Sequence, residues 1–77
     1  MPHVEIKCFP GRTEEQKKKC AEKIAEDIAD VLGCPVSCVS VVIKEVPKEE
    51  WKEKVWDMDI VPNEKYLYKK PVYRELT

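Results

Sequence analysis

Residues 3–9 alternate along the chain. Val4, Ile6 and Cys8 fall on one side and His3, Glu5, Lys7 and Phe9 on the other, a period of two that predicts a half-buried strand. Pro10-Gly11 ends it, because proline cannot continue a ladder and glycine permits a turn. Thr13-Glu14-Glu15-Gln16 then has the form of a capping box, with Thr13 as N-cap and Gln16 reaching back to it. From there Cys20, Ala21, Ile24, Ala25, Ile28, Val31 and Leu32 recur at helical spacing, with lysines and glutamates mostly between them. Gly33 stands where a left-handed C-terminal cap is expected, so the pattern predicts one long helix from Glu14 to Leu32.

Val36-Ser37-Cys38 leads into a second expected strand, Val39 to Val46. A strand, a long helix and a strand form a β-α-β unit with a right-handed crossover and parallel strands. Val39, Val41 and Ile43 are expected to face the helix; Val42 and Val46 fall on the other face, interleaved with Ser40 and Lys44. Two strands are marginal in water, so apolar groups on both faces imply cover from a partner protomer. Pro47 opens a short second helix on which Trp51 and Val55, four apart, share a side. Beyond Trp56 the reading is an aromatic-rich tail, with a helical turn around 63–68 and an extended Lys69-Lys70-Pro71 end, packed on a neighbouring protomer.

Composition narrows the classes. The chain has 77 residues, enough for one domain (1–77) with a modest core, for which oligomerisation is a usual remedy. A net charge of −1 with no basic block argues against nucleic acid as a partner. No apolar run approaches a membrane span, and the N-terminus lacks the form of a secretory signal. The expectation is a cytoplasmic protein. Cys8, Cys20, Cys34 and Cys38 form no Cys-x-x-Cys pair, and the single His3 is remote from them in sequence. They are read as small core hydrophobes, with no metal site, in preference to a thiol-based redox or metal centre.

The candidate chemistry lies at the start of the chain. Once Met1 is removed, Pro2 carries a free secondary amine. An α-amine titrates near ~8, and burial or a nearby cation favours its neutral form, a usable general base near neutral pH. With Met1 attached, the Pro2 nitrogen is a tertiary amide and this chemistry is closed.

Pro2 at the mouth of a strand, ten residues before Arg12 in a Gly-Arg-Thr-Glu-Glu-Gln helix start, resembles the 4-oxalocrotonate tautomerase family. The tail resembles that family's dimeric phenylpyruvate-tautomerase-like branch, and the likeness covers nearly the whole chain. It implies an α+β protein of the tautomerase (MIF-like) fold, completed by dimerisation, with a hexamer as the alternative. It implies an enol–keto tautomerase that needs no cofactor and acts on a small enol or keto acid, a 2-hydroxy-dienoate or an aromatic enolpyruvate. Pro2 is then the base that moves a proton between the oxygen and carbon ends of an enol. Arg12 grips the substrate carboxylate and, through its charge, helps keep Pro2 neutral. Trp51 walls the pocket against water, and Phe9 lines the pocket of a neighbouring protomer.

Ser40 departs from the pattern, because family members acting on a dicarboxylate carry a second arginine in this strand. A monocarboxylate with an apolar or aromatic group, such as phenylenolpyruvate, therefore fits better. His3 and Lys7 are expected as solvated or interface residues. The competing readings are a dimeric β-α-β module without the chemistry and the thiol-based protein already set aside.

Overall fold

The computed structural model describes residues 1–73. The end of the expected tail, residues 74–77, lies outside the described residues. The chain divides into two compact units, the second beginning at Val46.

The first unit is the predicted β-α-β. Strand β1 (His3–Cys8) pairs in parallel with β2 (Ser40–Glu45), and α1 (Glu14–Leu32) connects them. The register sets His3 beside Ser40, Val4 beside Val41 and Ile6 beside Ile43. Side chains alternate between sheet faces, so Val4, Ile6, Val41 and Ile43 share the face toward α1. His3, Glu5, Lys7, Ser40, Val42 and Lys44 share the opposite face. Both strands are one or two residues shorter than the alternation suggests: Phe9 leaves the ladder at Pro10, and Val39 caps a single 3₁₀ turn at Val36–Cys38.

The helix is bounded as its sequence dictates. The Thr13 hydroxyl accepts from the Gln16 backbone N–H at 3.1 Å, and the Gln16 side-chain oxygen Oε1 accepts from the Thr13 N–H at 2.9 Å. Gly33 ends the helix in the left-handed region at φ 72°, and its N–H donates to Ala29. Ala21, Ile24, Ala25, Ile28 and Ala29 form the half-buried stripe. Val31 and Leu32, expected on that stripe, are 79% and 67% exposed. Length accounts for this. Nineteen helical residues run about 28 Å, whereas six strand residues run about 20 Å, so the last turn overhangs the sheet. No residue of α1 is fully buried. The first unit therefore leaves its core only half covered.

The second unit holds the buried residues Val46, Trp51 and Val55. Val46, expected to end β2, instead follows it. After a 3₁₀ turn at Lys48–Glu50, the chain forms a π-helix at Lys52–Ile60, longer than the short helix expected. Its i→i+5 bonding suits the sequence. Trp51, Val55 or Trp56, and Ile60 recur at four- and five-residue steps, wider than the 3.6 of an α-helix. Lys52 and Asp57, five apart, form an ion pair at 3.1 Å. Asn63 Nδ2 closes the segment by donating to the Asp59 carbonyl at 2.7 Å, and a further 3₁₀ turn spans Glu64–Tyr66. Trp51 Nε1 donates to the Tyr73 hydroxyl at 3.3 Å, and the Trp56 and Tyr73 rings lie 5.5 Å apart. Tyr68 and Val72 project fully into solvent.

Among the described residues no helix is long and apolar enough to cross a membrane. All four thiols are free. Cys20, placed in the core by its spacing, is exposed, while Cys8, Cys34 and Cys38 are half-buried.

Candidate active site

Pro2 sits immediately before β1, half-buried, with Met1 fully exposed ahead of it. Its carbonyl accepts the Ser40 N–H at 3.2 Å, which ties the start of the chain to the start of β2. On the face away from the helix, Ser40 Oγ lies 2.6 Å from His3 Nδ1. Spacing along the sequence did not reveal this pair. It follows from the parallel register, which sets His3 directly beside Ser40.

Arg12 lies beyond the other end of β1. Pro10-Gly11 makes the turn that carries it there, with Gly11 at φ 124°, a conformation that side chains resist. The Arg12 guanidinium folds back and donates through Nη1 to the Phe9 carbonyl at 3.1 Å, which fixes the turn. Arg12 also borders a cavity of about 270 Å³ between sheet and helix, lined by Ile6, Cys8, Cys20 and Ile43 with Gln16 and Lys17. Lys17 is already committed. It pairs with Glu14 at 2.8 Å and Glu45 at 3.7 Å. The hydrogen bond with Glu14 raises the Lys17 pKa and lowers that of Glu14. Arg12 is thus the cation at this cavity that holds no carboxylate among the described residues.

The six residues of β1 put roughly 20 Å between the Pro2 and Arg12 ends of the strand. One protomer does not bring them together. At that range a charge is screened by salt, so the same protomer's Arg12 has little hold on the ionisation of Pro2. Phe9, half-buried, accompanies Arg12 at the far end of β1. Trp51 belongs to the second unit, where it is buried and bonded to Tyr73. Among the described residues no three His, Cys, Asp or Glu side chains gather into a metal-binding group.

Comparison with known proteins agrees with this architecture. The family model described as "Tautomerase enzyme" matches residues 2–53, so the match begins at Pro2. A tautomerase named PptA from Enterobacter sp. (strain 638) is 47% identical over 74 residues, covering 95% of this chain and 97% of its own. A 4-oxalocrotonate tautomerase isozyme from Methylibium petroleiphilum superposes with a TM-score of 0.62 at 42% identity, covering 65% of this chain and 81% of its own. A heterohexamer 4-oxalocrotonate tautomerase from Chloroflexus aurantiacus J-10-fl superposes with a TM-score of 0.64 at 31% identity, covering 66% and 82%. The chain therefore belongs to the 4-oxalocrotonate tautomerase family of isomerases.

Proposed function

We propose that the protein, freed of Met1, is an enol–keto tautomerase whose general base is the Pro2 amine. The observation that carries this is the place of Pro2 at the mouth of β1, half-buried and anchored through its carbonyl to Ser40, in a chain of the tautomerase family. The neutral amine takes the proton from the enol oxygen, and the O–H electron pair becomes the carbonyl π bond. The enol carbon then takes a proton from the prolinium N–H, so the base is regenerated.

Arg12 binds the substrate carboxylate, supplied from a second protomer because its own Pro2 is a strand length away. Phe9 travels with it, and Trp51 serves as the aromatic group that excludes water. The charge available favours a monocarboxylate. Lys17 is neutralised by Glu14 and Glu45, and Ser40 at the Pro2 end is uncharged, which leaves Arg12 as the gripping cation. An aromatic 2-hydroxy-enoate such as phenylenolpyruvate matches one cation and apolar walls.

We assign the protein to the dimeric branch and to the cytoplasm. The half-covered core of the first unit and the exposed Tyr66, Tyr68 and Val72 are the surfaces offered to a partner. The testing experiment is ketonisation of phenylenolpyruvate by protein whose N-terminus has been verified by intact mass. Turnover by the Met1-free form supports the reading; its absence in folded, Met1-free protein overturns it.

A further inference from the structure

The His3–Ser40 pair has no role in that scheme, yet it adjoins the proposed base. Ser40 reaches the first residues of the processed chain twice, through its N–H to the Pro2 carbonyl at 3.2 Å and through Oγ to His3 Nδ1 at 2.6 Å. Both side chains are exposed on the single chain, beside the residue that carries the proposed base. The next charges along this face are already engaged. Glu5 is held by Lys44 at 2.9 Å and by Lys7 at 4.0 Å.

A serine hydroxyl has one hydrogen, and its neighbour decides where that hydrogen points. An imidazole carrying its proton on Nδ1 donates to Oγ and leaves the hydroxyl hydrogen directed outward; an unprotonated Nδ1 takes that hydrogen for itself. During ketonisation negative charge gathers on the substrate oxygen as its proton leaves for the Pro2 nitrogen. A donor aimed at that oxygen lowers the barrier more than it strengthens substrate binding.

Resting on the reading of Pro2 as base, we infer that Ser40, oriented by His3 Nδ1–H, donates its hydroxyl to the enol oxygen of the substrate. Ser40 is the contact to the reacting oxygen, and His3 is a positioning residue acting through it. No proton is transferred by the pair; the proton moves through Pro2 alone. The pair selects enols whose hydroxyl adjoins the carboxylate, because the carboxylate goes to Arg12 and the neighbouring oxygen to Ser40.

The test uses Met1-free protein, phenylenolpyruvate and four variants. Ser40→Ala is expected to lower kcat about tenfold with KM changed less than about twofold, a fraction of the effect of losing a fully sequestered oxyanion donor because this pair is exposed. Ser40→Thr, which keeps the hydroxyl, is expected to retain most of kcat. His3→Ala reproduces the loss, and the double variant loses no more than either single one, as for groups acting as a unit. His3→Asn, which offers an amide N–H, restores most of the rate. Thermal unfolding and sedimentation confirm an unchanged fold and assembly. If Ser40→Ala keeps kcat within about twofold while blocking the Pro2 amine abolishes turnover, the inference falls and the Pro2 reading stands. If a loss is rescued by neither Ser40→Thr nor His3→Asn and tracks a lowered Tm, the pair is structural and the inference also falls. Failure of the unmodified Met1-free protein to turn over overturns both.

Discussion

If Pro2 and Arg12 act together across protomers, two disabled chains should repair each other. The perturbation is a pair of variants: Pro2→Leu, which has no secondary amine, and Arg12→Ala, which has no guanidinium. Six residues of β1 at about 3.3 Å each separate the two groups by roughly 20 Å within a chain, whereas an ion pair to a substrate carboxylate needs contact. A small enol acid cannot bridge that gap. Arg12→Ala alone should lower kcat/KM about 10- to 150-fold, the equivalent of a charged hydrogen bond of roughly 1.5–3 kcal/mol. Pro2→Leu alone should be inactive.

Mixing the two variants one to one, with dissociation and reassociation, randomises the partners. Each site then has about one chance in two of an intact Pro2 and, independently, about one in two of an intact Arg12, so activity should reach about a quarter of that of the unmodified protein. The fraction is the same for a dimer and for a hexamer. The assay is ketonisation of phenylenolpyruvate before and after mixing, with sedimentation confirming reassembly. A mixture that reassembles yet shows only the average of its parents would refute the shared site.

Thr13→Ala removes the hydroxyl that accepts from Gln16 N–H at 3.1 Å; it should cost about 1 kcal/mol of stability, read as a lower urea midpoint, with kcat little changed. Val55, 5% exposed on the π-helix, is the most buried side chain described; Val55→Ala should cost about 2 kcal/mol and lower Tm at fixed protein concentration. A Tm unchanged within about a degree would remove Val55 from the core of the second unit.

The β-α-β unit was legible because its signals are local. Alternation marks Val4, Ile6 and Cys8, Thr13 and Gln16 announce the helix start, and Gly33 announces its end. The placing of Arg12 after the Pro10-Gly11 turn was legible for the same reason. What escaped depends on three-dimensional distance or on an unusual period. The resemblance assigned Pro2 and Arg12 to one site, but the extended strand between them sets them apart within a chain. His3 and Ser40, 37 positions apart, meet only through the register of two parallel strands. The π-helix hides because the four-residue step from Trp51 to Val55 also suits an α-helix, and only the five-residue step on to Ile60 marks the wider turn. Val31 and Leu32 kept the helical period but overran the strands beneath them.

The central claim is that the base is the free amine of Pro2. Preparations with different fractions of Met1-free chain, each quantified by intact mass, can be compared for phenylenolpyruvate ketonisation at equal total protein. Turnover should rise in proportion to the Met1-free fraction and fall to background when all chains keep Met1. Full turnover by protein that retains Met1 would contradict the account, because an amide nitrogen cannot carry the proton.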